Sequence, residues 1–253
     1  MSEEDHLCLD GTTIILVRHG KTEWNAQERI QGSCDSPLTD HGLRSARVLG
    51  ERLAASAERI HAVYSSPIGR AWHTAQIIAK CVALPEPTPD EELRERSFGV
   101  LEGLTNRQAK ERFPEAERRN SSREDSYAPP GGESREACRA RGCAALKRLA
   151  AKHPGQRLLI VSHSAFIACV MRDVLRQRHE PNMRIRSLGI PNTAINVLVW
   201  KGDGWQLKLW GDVGEFAGAP GGGRVDGRLV GLMCAAAALV GAAISTALHR
   251  VRT

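Results

Sequence analysis

Two hydrophobic patterns alternate along the chain: short unbroken apolar runs, and longer stretches with an apolar residue every third or fourth position. Ile14-Ile15-Leu16-Val17, Ala62-Val63-Tyr64 and Leu158-Leu159-Ile160-Val161 are of the first kind and read as strands, the first over Thr13–Val17. Leu43, Ala46, Leu49 and Leu53 recur near the helical period behind Asp40, which predicts a helix capped by Asp40. Ser65-Ser66-Pro67 opens a second helix, from Ile68 to about Cys81, with its proline where a missing N–H costs nothing. A third helix runs from about Ser134 to Lys152, and a fourth begins at Ala165, just past the Leu158–Val161 strand. Ile195–Trp200 and Trp205–Trp210, joined by Lys201-Gly202-Asp203-Gly204, read as a hairpin. The stretch up to about Thr39, the proline-rich Leu84–Pro89 and the polar segment 105–135 with Pro129-Pro130-Gly131-Gly132 read as turns and loops. Strands alternating with helices predict a three-layer α/β/α sandwich: a mostly parallel sheet covered on both faces, with an antiparallel edge.

One domain over residues 12–212 accounts for these elements, behind a polar N-terminal segment, 1–11. Residues 213–228 form a Gly-rich linker, and Leu229–Leu248 then run for 20 residues without a charge between Arg228 and His249-Arg250-Val251-Arg252. That length and those basic flanks predict a C-terminal transmembrane tail anchor, although the run is rich in alanine and glycine. The expected location is a cytoplasmic catalytic domain, tail-anchored to an intracellular membrane.

Composition narrows the partners. The net charge of +6 comes from arginines scattered along helical stretches, and aromatics are only 4 % of the chain, a pattern that excludes nucleic acid and suits anionic substrates. Seven cysteines, at 8, 34, 81, 138, 143, 169 and 234, contain no CxxC pair and no Cys/His zinc spacing. Reduced thiols in a cytosolic setting are the reading. The acidic start, Met1–His6, resembles neither a signal nor a transit peptide.

The candidate chemistry lies where strands end. Arg18-His19-Gly20 follows the first strand, and His163 follows Leu158–Val161, with the Ser164 backbone N–H at the next helix N-terminus available to an anion. Arg70 occupies the first turn of the second helix, and Glu95 lies in the loop Glu95-Arg96-Ser97-Phe98-Gly99. Taken singly, each has a plain structural reading: a solvated arginine, a surface ion pair, a satisfied histidine.

Together they resemble the histidine phosphatase superfamily, the phosphoglycerate-mutase-like family. The resemblance covers about residues 12–212 and rests on Arg18-His19-Gly20, Glu23-Trp24-Asn25, Ile30-Gln31-Gly32 with Ser36-Pro37-Leu38-Thr39, Tyr64-Ser65-Ser66-Pro67 with Arg70, Leu93–Gly99 with Glu102-Gly103, and Ser162-His163-Ser164. It implies the phosphoglycerate-mutase-like fold and a phosphohistidine mechanism. His19 would be the nucleophile, and Arg18 and Arg70 would hold the phosphate oxygens as planar cations. His163, protonated by the nearby anion, would add a donor. Glu95 would protonate the leaving alkoxide and then activate water, which requires it to hold a proton before transfer. Asn25, Gln31, Gly32 and Ser164 complete the implied substrate site; no cofactor and no metal are implied.

The motifs around Gln31 and Pro130-Gly131-Gly132-Glu133-Ser134 look like the phosphatase branches, whereas Leu93–Leu104, Asn192-Thr193 and Trp210-Gly211-Asp212-Val213 look similar to plant and bacterial mutase-like proteins. The expected activity is a metal-independent phosphatase acting on a small phosphorylated metabolite. A phosphoglycerate mutase is the alternative, and a membrane-tethered binder of phosphorylated ligands a third. Lys21 stands where the family usually carries an acidic residue.

Overall fold

The computed structural model describes residues 11–175 and 190–213. Its centre is a six-stranded sheet in the order β3-β2-β4-β1-β5-β6. The strands are β1 (Thr12–Arg18), β2 (Ala62–Ser65), β3 (Thr88–Pro89), β4 (Arg157–Ser162), β5 (Ile195–Trp200) and β6 (Trp205–Asp212). β3, β2, β4 and β1 run parallel, and the β5–β6 hairpin adds an antiparallel edge beside β1. The expected fold class is the observed one.

Why three layers form is visible along β1, whose side chains alternate between faces. Ile14 and Leu16 pack, with Leu158 and Ile160 of β4, against Leu146, Leu149, Phe166 and Val170. Those partners belong to α6 (Arg135–Lys152) and α7 (Ser164–Val174). Ile15 and Val17, with Leu159 and Val161, face Leu49, Ala71, Ala75 and Ile78 on α2 (Asp40–Ala54) and α3 (Gly69–Cys81). Because both faces are covered, β1 and β4 are continuous apolar runs rather than alternating ones. Each fully buried Leu or Ile contributes about 1.5–3 kcal/mol. Gly142 allows α6 to close on α7: a Cβ there would lie 2.6 Å from Val170 Cγ2 and 2.8 Å from the Phe166 ring.

Three local details depart from the sequence reading. Thr39, not Asp40, caps α2, accepting the Gly42 N–H at 3.0 Å, and Asp40 is the first helical residue. The stretch before Thr39 contains a single helical turn, α1 (Glu23–Ala26), closed by a capping box between Thr22 and Asn25. The polar segment 105–135 contains α4 (Asn106–Arg112) and α5 (Pro114–Ser122). Each buries one alanine, Ala109 or Ala116, in a small separate core with Leu101. A single apolar position per helix leaves no 3.6 period to detect.

The chain separates into two units between Val213 and Gly214. The tail-anchor segment 229–248 lies outside the described residues, and among those described no helix is long and apolar enough to cross a membrane.

Candidate active site

Strand register assembles the site. Arg18 lies opposite Ser162 in the β1–β4 ladder, and Ser65 lies opposite Val161 in β2–β4. The next residues of all three strands therefore leave the sheet at one carboxyl edge, where open α/β sheets bind ligands. Two main-chain bonds carry the ladder one step further, from His19 N to Ser162 O (2.9 Å) and from Ser66 N to Val161 O (3.0 Å). The result sets the His19 and His163 rings with centroids 5.2 Å apart.

His19 is a neutral ring held in one tautomer. Nδ1 lies 2.8 Å from the Gly20 carbonyl oxygen, which can only accept, so the proton sits on Nδ1 and Nε2 keeps its lone pair. The Gly20 N–H is itself fixed by Thr74 Oγ1 at 3.0 Å. Burial drives the imidazole well below the ordinary histidine range, Arg18 and Arg70 push the same way, and the Gly20 bond opposes them. At pH 7 such a group is a nucleophile rather than an acid.

His163 Nε2 lies 2.8 Å from Ser66 Oγ, which also accepts the Ile68 N–H at 3.2 Å. Ser66 can thus give its proton to Nε2, placing the ring proton on Nδ1, a buried atom with no partner among the described residues. With no anion bound, burial first, then Arg70, His19 and Arg18, holds His163 well below the usual value. The protein's own field favours the neutral ring, and a second proton has to be supported by the charge of a bound anion.

The two expected arginines converge on this pair. Arg18 donates from Nη1 to the Ile190 carbonyl at 2.6 Å. Burial, with Arg70 adding and Glu95 opposing, pushes Arg18 down to about 10, which leaves it a cation at neutral pH. Arg70 is 2 % exposed and is held by the carbonyls of Gly32 (Nη2, 2.8 Å) and Cys34 (Nη1, 2.6 Å). Asp35 Oδ1 accepts the Arg70 N–H at 3.1 Å, so a remote loop caps α3 where Ile68 offers no side-chain cap. Burial lowers Arg70, and Glu95 and Asp35 pull it back up. The Nε of each arginine is buried without a partner among the described residues, a donor left for an anion.

Glu95 sits at the N-terminus of α7, the helix whose Ser164 N–H the sequence reading offers to an anion. Its carboxylate accepts from Ala165 N (3.1 Å) and Phe166 N (2.8 Å) in the first turn of α7, and from Arg96 N (2.9 Å). The Ser164 N–H is outside that set. Arg141 pins the segment leading to Glu95 through the carbonyls of Glu92 (2.7 Å) and Arg94 (3.1 Å), and is itself gripped by both carboxylate oxygens of Glu133.

The remaining expected ligands sit in the α1 loop. Asn25 Oδ1 accepts from Thr22 N (3.2 Å) and Asn192 Nδ2 (3.3 Å), which leaves its own Nδ2 to donate elsewhere. Gln31 Oε1 accepts the buried Thr22 hydroxyl at 3.0 Å, so its amide nitrogen is the end free to meet a ligand. Gly32 acts through its carbonyl on Arg70. Among the described residues, no group of three or more His, Cys, Asp or Glu side chains is placed to hold a metal ion.

The sequence profile of the histidine phosphatase superfamily, branch 1, matches residues 14–213. The chain belongs to this superfamily. It is 40 % identical over 211 residues to phosphoglycerate mutase-like protein 4 of Arabidopsis thaliana, covering 82 % of this chain and 88 % of that one. It is 38 % identical over 218 residues to a metal-independent phosphoserine phosphatase of the same plant, covering 85 % and 88 %. Bacillus stearothermophilus YhfR superposes with a TM-score of 0.73 at 32 % identity, covering 80 % of this chain and 98 % of that one.

Several residues of this histidine phosphatase site were not visible as such in the sequence. Asn192 Nδ2 donates to the His19 carbonyl at 2.9 Å and links it to Asn25, Ser66 orients His163, and Thr74 joins Gly20 to the Arg70 carbonyl (2.7 Å). Each is a small polar residue with a partner far away in sequence; Ser66 and Thr74, at 0 % exposure, are set apart by burial, and half-buried Asn192 only by its contacts. Lys21 has an exposed side chain, and its carbonyl accepts from Thr39 N (2.9 Å) and Thr39 Oγ1 (3.1 Å), tying the nucleophile loop to the cap of α2.

Proposed function

We propose that the protein is a metal-independent phosphatase that hydrolyses a small phosphorylated metabolite through a phosphohistidine on His19. One observation carries this: a buried, neutral His19 whose proton is fixed on Nδ1 by Gly20, beside two arginines whose Nε donors have no partner among the described residues. In-line attack by Nε2 on phosphorus develops charge on three equatorial oxygens, and Arg18, Arg70, His163 and the Asn25 amide are the groups to receive it. Glu95 gives a proton to the departing alkoxide and takes one from the water that then attacks phosphohistidine. The metal-independent phosphoserine phosphatase among the relatives supports this reading, and the mutase-like relative keeps the alternative in view.

The test is phosphate release from O-phosphoserine, 3-phosphoglycerate and p-nitrophenyl phosphate, with and without a chelator. Release that is indifferent to chelator is the expected result. Exchange of phosphate between positions 2 and 3 of phosphoglycerate without net release assigns a mutase, and binding without either assigns a binder. On the same reading the catalytic domain, 12–212, is followed by a Gly-rich linker, 213–228, and a membrane anchor, 229–248, supported by 20 uncharged residues between basic flanks. Co-flotation of the full chain, but not of residues 1–212, with phospholipid vesicles is the matching result.

A further inference from the structure

Glu102 lies outside the ring of groups around His19, yet its carboxylate is densely bonded. Oε1 accepts from Ser33 N (3.0 Å), Ser33 Oγ (3.2 Å), Ser97 Oγ (3.1 Å) and Phe98 N (2.7 Å). Oε2 accepts from the Cys34 thiol at 3.4 Å. Burial alone raises such a group, but the Ser33 and Phe98 N–H groups, with the Cys34 and Ser97 side chains, more than offset this and hold it below the usual carboxylate range. The approach is possible because residue 32 is glycine. Its φ is +54°, and a Cβ there would stand 2.2 Å from Glu102 Oε1.

The consequence reaches the phosphate site through the backbone. Glu102 fixes the Ser33 N–H in the middle of the Gly32–Cys34 loop, and the carbonyls of Gly32 and Cys34 on either side hold both terminal nitrogens of Arg70. Ser33 and Cys34 are exposed, so no core packing sets their place. Across the carboxylate, Ser97 and Phe98 belong to the segment anchored at Glu95.

We propose that Glu102 is a positioning residue for Arg70: it clamps the Gly32–Cys34 loop against Ser97–Phe98 and thereby aims the guanidinium at the substrate phosphate. This rests on the reading of Arg70 as a phosphate ligand. An ångström of slack at such a group is enough to slow the reaction by about a hundredfold.

The experiment is a double-mutant cycle in the full chain with Glu102→Gln and Arg70→Lys. It reads kcat/KM for p-nitrophenyl phosphate, competitive inhibition by inorganic phosphate, and the urea midpoint. Glu102→Gln is expected to lower kcat/KM by about tenfold to a hundredfold and to weaken phosphate inhibition by about tenfold. In the Arg70→Lys background the same change is expected to cost less than about twofold, while the effects of the two changes on the urea midpoint simply add. Losses in kcat/KM that multiply, or unchanged phosphate inhibition in Glu102→Gln, overturn the clamp. Arg70→Lys that keeps full phosphate affinity overturns instead the reading of Arg70 on which the clamp rests. Should Glu102→Gln fail to fold, Ser97→Ala removes one donor and leaves the charge in place. Its expected loss of about twofold to fivefold vanishes beside Arg70→Lys if the clamp is real, and persists in full if it is not.

Discussion

Lowering the pH from 7.5 to 5.5 should destabilise this protein chiefly through two side chains. His19 and His163 are 2 % and 0 % exposed, and both are held well below the ordinary histidine value, mainly by burial. Unfolding returns each to about 6.5, so below that pH the unfolded chain binds more protons than the native one. The sign follows: stability is full above pH 6.5 and is lost as the pH falls through that value toward the native one. Each ring that stays neutral in the native state at pH 5.5 costs on the order of 1 kcal/mol, a visible share of a total of about 5–15 kcal/mol. The lowered carboxylates Glu102, Glu115 and Glu124 act in the same direction but only as they titrate, below about pH 5. Urea unfolding followed by tryptophan fluorescence at the two pH values reads the difference. His19→Gln and His163→Gln should each remove about half of it. A wild-type stability that stays flat over this interval, or a double variant that keeps the full pH dependence, refutes the claim that both rings are neutral in the native site.

Three further outcomes are expected. Glu95→Gln should lower turnover by about a hundredfold to ten-thousandfold, and with p-nitrophenyl phosphate, whose leaving group needs little help from an acid, phosphoenzyme should accumulate in rapid-quench samples. Asn192→Ala removes the donor shared by the His19 carbonyl and Asn25 Oδ1, and should cost about tenfold in kcat/KM with the thermal midpoint nearly unchanged. Gly142→Ala drives a methyl group into Val170 and Phe166 between α6 and α7, and should destabilise by about 1–3 kcal/mol in urea titrations, with activity per folded molecule retained.

What could be read from the chain was what one local stretch specifies. Ile14–Val17 and Leu158–Val161 are strands because both faces of the sheet are covered, and the Lys201–Gly204 turn marks its hairpin by composition alone. His19 and His163 were legible because each follows a strand directly, and parallel register then makes them neighbours. The α4–α5 region was not, since a helix that buries a single alanine has no periodic signature. The Asp40 assignment missed by one residue because Thr39 and Asp40 are both good caps, and only the Thr39–Gly42 bond separates them. The contacts of Ser66, Thr74, Asn192 and Glu102 are set by tertiary geometry between segments distant in sequence. The lowered basicity of His163 likewise follows first from its burial and then from the positive charges around it, which no motif records.

In the proposed mechanism, phosphate passes through Nε2 of His19. Brief incubation with a 32P-labelled phosphomonoester, acid-free denaturation and peptide mapping tests it directly. The expected result is label on the peptide containing His19 that is stable in alkali and lost in acid, formed no more slowly than turnover, and absent from His19→Gln, which is inactive. Label on another residue, or turnover that survives the loss of His19, contradicts it.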